Sequence, residues 1–129
     1  MKILKYLTII PIVLLSFSTP VKAETVCQTN FLGDKNCITG VQKNGNFSAK
    51  ISWTYKIPRN TIVPGKSIKY SEWGANVICT QSPRYANVTY SIMKDQNNKS
   101  ISLTSSQLKQ IATGLQQNAA PKLVYLFCG

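Results

Sequence analysis

The chain of 129 residues is strongly basic and contains no histidine, with 15 Lys and Arg residues against four Asp and Glu residues and a net charge of +11. The absence of histidine excludes Ser-His-Asp and Cys-His catalysis and removes the most common metal ligand in proteins. Four carboxylates also leave little material for paired acid–base chemistry, so the composition favours a binding protein over an enzyme.

Residues 1–23 have the three zones of a secretory signal peptide. Lys2 and Lys5 supply a positive start, an apolar run follows, and Val21 and Ala23 stand at the positions that the peptidase recognises. The apolar run is shorter than the roughly 20 residues that a membrane-spanning helix requires. We therefore expect cleavage after Ala23 and export to the periplasm or the medium of a bacterial cell.

The predicted mature chain, residues 24–129, has the length of one domain. It carries 12 basic and four acidic residues, which is a net charge of +8. Long-range attraction favours anionic partners for such a chain, namely an anionic polymer, a lipid surface or an acidic protein. The alternative explanation of the same charge is solubility together with the bias of an AT-rich genome, since Lys, Asn and Ile are all plentiful.

Four cysteines, at positions 27, 37, 79 and 128, are the second constraint on the mature chain. Export places them in an oxidising compartment, where disulfides form. More than one pairing is possible. We predict Cys27–Cys37, which closes a short loop, and Cys79–Cys128, which ties the C-terminus to a mid-chain strand. A zinc site is disfavoured because the chain has neither a C-x-x-C pair nor a histidine, so we expect no metal and no cofactor.

The mature chain begins with a turn-rich segment and then a clear strand. Residues 24–46 are rich in Gly, Asn and Asp, which predicts an irregular segment pinned by the first disulfide. Within it, Asn44-Gly45 is the sequence of a tight hairpin turn. Phe47–Ile57 follows with strict alternation of apolar and polar residues, which predicts a half-buried antiparallel strand.

Further strands are predicted downstream from alternation and from β-branched and aromatic content. They are Ser67–Tyr70, Ala75–Thr80, Tyr85–Met93 and Ser100–Leu103. The period then changes, and the spacing of apolar residues predicts one helix over 105–117, with a capping box from Thr104 to Gln107 and a stop at Asn118 and Pro121.

The last segment, Leu123–Cys128, is a continuous apolar run and predicts a strand buried on both faces. Together the elements predict a mainly β (α+β) fold. It is a small antiparallel sheet or sandwich of five to six short strands, with one late helix near 105–117 and two disulfides.

The candidate binding residues share positive charge or an aromatic ring. They are Lys50, Lys56, Arg59, Lys66, Lys69, Trp73, Arg84 and Tyr85. The first two lie on the polar side of the Phe47–Ile57 strand. Lys56, Arg59, Lys66 and Lys69 form one patch if the following loop folds back. Trp73 is a candidate for stacking on a sugar ring or a base, and Arg84–Tyr85 is a second cation–aromatic pair. The alternatives are a solvated strand face for the lysines and a core position for Trp73.

Three functions follow from these features. The first is a secreted or periplasmic basic binding module for an anionic surface, polymer or partner. The second is a protein-interaction factor, such as an inhibitor of an acidic hydrolase or an accessory envelope subunit. The third is a small hydrolase that works without histidine, through Lys, Ser or Glu72. We expect the first, because the positive charge is an observed property and no catalytic motif is present.

Overall fold

A computed structural model describes residues 21–129. The predicted signal peptide, residues 1–23, lies outside the described residues except for its last three, which begin the first strand, β1 (Val21–Thr29). Cleavage after Ala23 would therefore shorten β1 at its start, and residues 24–29 would remain paired to the next strand.

Five antiparallel strands form one sheet in which each strand pairs with the next along the chain. After β1 they are β2 (Lys35–Lys43), β3 (Asn46–Arg59), β4 (Ile68–Ile78) and β5 (Tyr85–Asp95). This meander confirms the predicted small antiparallel sheet. Because successive strands run in opposite directions, the β1–β2 turn, the β3–β4 loop and the C-terminal end of β5 lie at the same end of the sheet.

The segment 24–46 is a hairpin, and the prediction that it is irregular is wrong. Val26 and Ile38 lie opposite each other in β1 and β2, and Ile38 packs against the core, which holds both strands in place. The turn residues are confined to the two connections. Asn44 and Gly45 have φ values of 53° and 83°, the left-handed backbone of a two-residue hairpin turn, so that turn prediction is confirmed.

β3 confirms the predicted strand Phe47–Ile57 and extends it at both ends. The two short strands predicted at 67–70 and 75–80 belong to the single strand β4, because Glu72 and Trp73, which lie between them, pair with both neighbouring strands. Gly74 falls in the middle of this strand, where its lack of a side chain weakened the sequence pattern.

The predicted strand Ser100–Leu103 is also wrong. Residues 100–103 form a single bridge, from Ser100 to Lys94, and no ladder. Ile101 and Leu103 pack instead against a second, small apolar cluster made of Val63, Ile68 of β4 and Met93 of β5.

The C-terminal part is one helical segment with a change of pitch. It consists of α1 (Ser105–Gly114), a π-helical turn (Leu115–Ala119) and α2 (Ala120–Cys128). The predicted capping box is confirmed, since the Thr104 side chain accepts from the Gln107 amide and the Gln107 side chain accepts from the Thr104 amide. The predicted stop is wrong, because Pro121 lies in the first turn of α2, directly after the π-helical turn, a position at which proline is tolerated.

Leu123–Cys128 is therefore helical, and the prediction of a buried strand is corrected. Ala120, Leu123 and Phe127 recur at helical spacing and face the sheet, while Tyr125 is 53% exposed. The apolar face of the sheet supplies the physical reason. It has to be covered, and a helix laid across it buries that face where a sixth strand at the edge would not.

The helical segment covers one face of the sheet. The main core joins the strand residues Phe47, Ala49, Ile51, Ala75, Val77 and Ala86 to Ala120 and Leu123 of α2. The glycine at position 40 lets Phe127 pack directly on β2, because a Cβ there would lie 2.5 Å from the Phe127 ring. No helix among residues 21–129 covers the opposite side, which we call the open face.

The two predicted disulfides are formed. Cys27–Cys37 joins β1 to β2 on the open face, and Cys79–Cys128 joins the residue after β4 to the end of α2. The side-chain amide of Gln116, in the π-helical turn, accepts from the Val88 N–H at 2.9 Å and donates to the Ala86 carbonyl at 2.7 Å. It thereby occupies part of the outer edge of β5.

Candidate functional site

Most of the positive charge collects at one end of the sheet, which we call the basic end. It comprises the β1–β2 turn, the β3–β4 loop and the segment that leaves β5. Seven of the 12 basic residues of the predicted mature chain lie in these parts or beside them, namely Lys35, Lys56, Arg59, Lys66, Lys69, Lys94 and Lys99. The acidic residues there are Asp34 and Asp95, which leaves a net charge of +5.

Asp34 ties the β1–β2 turn to the far end of β3. Its buried carboxylate accepts from the Lys56 backbone N–H at 3.0 Å and from the Arg59 guanidinium at 2.6 Å. The Lys56 hydrogen bond, opposed by burial and assisted by Arg59, lowers the pKa of the Asp34 carboxyl from its usual value. Asp34 therefore stays ionised, and its charge is compensated within the protein by Arg59.

The remaining cations of the basic end divide into anchored and available groups. Lys69 donates to the Lys56 carbonyl oxygen at 3.0 Å, and the Arg59 guanidinium also lies 5.4 Å from the centre of the Tyr55 ring. Within residues 21–129, the ammonium groups of Lys35, Lys56, Lys66 and Lys99 form no hydrogen bond or ion pair. Their charge is available to an external anion.

The open face carries a second cluster, centred on Glu72. The hydroxyl groups of Tyr70 and Tyr90 donate to its two carboxylate oxygens at 2.5 and 2.6 Å, and the Lys50 ammonium lies 3.9 Å away. The Lys94 ammonium stands 5.6 Å from the centre of the Tyr70 ring. Two phenol rings and two lysines thus surround one ionised carboxylate, whose charge the lysines compensate.

The titration of this cluster follows from its contacts. Burial raises the pKa of Glu72, but the hydrogen bonds from Tyr70 and Tyr90 and the charges of Lys50 and Lys94 outweigh burial, so the pKa is lowered overall. Burial, and then the hydrogen bond to Glu72 and its charge, raise the pKa values of both tyrosines to about 12. A carboxylate held ionised with both oxygens occupied is poorly suited to act as a general acid.

The predicted binding residues do not all lie together. Lys56, Arg59, Lys66 and Lys69 meet at the basic end, and Lys50 lies in the middle of the open face. Trp73 is half-buried on the helix side and packs against the core. The Arg84 guanidinium donates to the Cys128 carbonyl oxygen at 2.9 Å, and Tyr85 begins β5 at the opposite end of the sheet.

Sequence reasoning missed several residues of the basic end. Lys35, Lys94 and Lys99 are far apart in the chain, and only the strand order brings them close to the others. Phe31 and Leu32 were overlooked as well, although an apolar pair in the centre of a turn made of Asn, Gly and Asp was a usable signal. Phe31 is 96% exposed and Leu32 52%.

Residues 21–129 contain no group of three or more His, Cys, Asp or Glu residues arranged to hold a metal ion. In that same part of the chain, no helix combines the length and the apolar character needed to cross a bilayer. Comparison with known proteins finds no matching family model, no matching curated protein and no matching solved structure.

Proposed function

We propose that the mature chain is a binding module that docks on an anionic surface or polymer through its basic end. The observation that carries the proposal is the concentration of charge: the basic end has a net charge of +5, and four of its ammonium groups have no partner within residues 21–129. Clustered exposed cations of this kind attract anionic partners over a distance set by ionic strength.

The module is exported and works in the periplasm or outside the cell, in a bacterium. The leader-like residues 1–23 support export, and two disulfides in so small a domain fit an oxidising compartment. Crosslinks of this kind also suit a module whose sheet has one uncovered face, because one holds β1 to β2 and the other holds the helical segment to the sheet without a second apolar layer.

Charge at the basic end can be tested separately from charge in general. The test variant is Lys35→Gln/Lys66→Gln, and the matched control is Lys43→Gln/Lys122→Gln, which removes two exposed lysines from the opposite end of β2 and from α2. The probes are immobilised heparin and vesicles of equal parts phosphatidylcholine and phosphatidylglycerol, at low and high salt.

We expect binding of the native chain to both probes at low salt and release at high salt. At about 1 kcal/mol per lysine near an anionic surface, the test variant should bind vesicles roughly 30-fold more weakly, and the control only slightly more weakly. Equal losses in the two variants would show that overall charge acts without a site. Binding that does not change with salt, or no binding to either probe, would contradict the proposal.

A further inference from the structure

The β1–β2 turn presents two apolar side chains to solvent on a rigid frame. The Asn30 side-chain oxygen accepts from the N–H groups of Leu32 and Asp34 at 2.9 and 3.0 Å. The Asn30 N–H donates to the Asp34 carbonyl, and the Gly33 N–H donates to the Asn30 carbonyl. Four hydrogen bonds thus fix the residues on both sides of Phe31, so its 96% exposure is a property of an ordered turn.

The same turn is fastened to the end of β3. Gly33 lies so close to Lys56 that a Cβ at position 33 would stand 2.5 Å from the Lys56 Cδ, and Asp34 holds the Lys56 N–H. Ile57, the next residue, is 72% exposed. Phe31, Leu32 and Ile57 are thus three exposed apolar side chains on two segments that are fastened to each other, and we call them the tip.

Cations surround the tip. Lys35 follows the turn directly, Lys56 precedes Ile57, and Lys69 is bound to the Lys56 carbonyl. The one carboxylate in this neighbourhood, Asp34, is buried and paired with Arg59, so it does not offset the ammonium groups outside. The exposed apolar side chains are therefore flanked by positive charge.

We propose that the tip inserts into the headgroup region of an anionic lipid bilayer, with the surrounding lysines bound to lipid phosphates. This inference rests on the proposed function and names its surface. Phe31 and Leu32 are exposed on a turn, where they can enter a soft layer without a matching groove. A bilayer interface accepts aromatic and aliphatic side chains below a layer of negative charge and requires no matching pocket. Charge complementarity therefore selects an anionic bilayer as the occupant.

The test compares Phe31→Ser with Tyr125→Ser, which removes an exposed aromatic ring from α2, away from the tip. Both variants are measured by flotation with vesicles of equal parts phosphatidylcholine and phosphatidylglycerol, with vesicles of phosphatidylcholine alone, and on immobilised heparin. We expect Phe31→Ser to weaken binding to the anionic vesicles by about tenfold or more. We expect Tyr125→Ser to leave binding unchanged, and heparin elution to be the same for both variants.

Depth is read separately, from Phe31→Trp and the control Tyr125→Trp in vesicles that contain a brominated lipid. The native chain already contains two Trp residues, so the signal is the fluorescence that the introduced Trp adds. The brominated lipid should quench this added fluorescence in Phe31→Trp and not in the control. If Trp at position 31 is not quenched, or if Phe31→Ser does not weaken vesicle binding, insertion of the tip is overturned. In that case salt-sensitive binding to heparin would still support the proposed function. Failure of the native chain to bind either probe would remove both. Loss of a protein partner in Phe31→Ser, with vesicle binding unchanged, would assign the tip to a protein pocket instead.

Discussion

Replacing Gly74 with alanine is expected to displace Tyr90 from the open face and to break its bond to Glu72. The Tyr90 ring lies over Gly74, where a Cβ would stand 2.1 Å from the ring, whereas ordinary contacts begin at 3.4 Å. The ring must therefore move by more than about 1 Å. Because Tyr90 is 40% exposed, it can move into solvent, and its hydroxyl then leaves the Glu72 oxygen that it contacts at 2.6 Å.

The magnitude is a balance of three effects. The hydrogen bond to the Glu72 carboxylate contributes about 1.5 kcal/mol, the lower end of the usual range because the site is partly exposed. When the Tyr90 ring leaves the strand, roughly 40 Å² of apolar area becomes exposed to water, which adds about 1 kcal/mol to the destabilisation. Alanine stabilises the strand by about 0.5–1 kcal/mol, because it loses less backbone entropy on folding than glycine does. Destabilisation wins, at about 1.5–2 kcal/mol.

The assay is urea unfolding of the native chain, Gly74→Ala, Tyr90→Phe and the double variant. If Gly74→Ala acts through the hydroxyl, it should cost about 1.5 kcal/mol less in the Tyr90→Phe background, where the hydrogen bond is already missing. An equal cost in both backgrounds would refute the reasoning.

Titration gives an independent reading of the same contact. The folded-state pKa values of Tyr70 and Tyr90, about 12, lie above the ordinary value of 10.0. Their stabilising effect is therefore complete below pH 10 and is lost as the pH rises toward 12. In Gly74→Ala, one phenol should ionise nearer 10, as measured by phenolate absorbance, and an unchanged titration would contradict the proposed displacement.

Three further predictions concern stability. Gly40→Ala should destabilise the fold by about 1–3 kcal/mol in urea unfolding, because its Cβ would stand 2.5 Å from the Phe127 ring, which packs against the core and would have to leave it; a neutral effect would contradict that packing. Gly114→Ala should stabilise it by about 0.5–1 kcal/mol, since the position is helical and open, and a loss of stability would show a hidden clash. Cys79→Ala/Cys128→Ala, which opens a link with a sequence separation of 49, should lower the free energy of unfolding by about 4 kcal/mol. A much smaller loss would point to residual structure in the unfolded chain.

The local sequence pattern correctly predicted those parts of the fold for which a single sequence feature is decisive. The alternation of Phe47–Ile57, the Asn44-Gly45 turn, the helix cap at Thr104 and both disulfide pairs are short-range or chemically constrained features. The Leu123–Cys128 helix was mispredicted because a short apolar run is compatible with either structure. Whether this segment becomes a helix or a strand depends on the apolar face of the sheet that it has to cover, which is a property of the whole domain.

The candidate site shows the same division. Lys56, Arg59, Lys66 and Lys69 were predicted as one patch from their closeness in sequence, and they do lie at one end of the sheet. The addition of Lys94 and Lys99 required the strand order. The pairing of Asp34 with Arg59, which takes one negative and one positive charge out of the free charge of that surface, required coordinates.

A map of the residues that contact the membrane surface is the most direct test of binding through the basic end. Amide chemical shifts of the isotope-labelled mature chain, recorded with and without small vesicles of phosphatidylcholine and phosphatidylglycerol, report which residues meet the surface. Binding at the basic end predicts shifts or line broadening concentrated at residues 30–35, 56–69 and 94–99, with little change at 43–46 and 79–86. Changes centred on 43–46 and 79–86, or spread evenly over the domain, would contradict it.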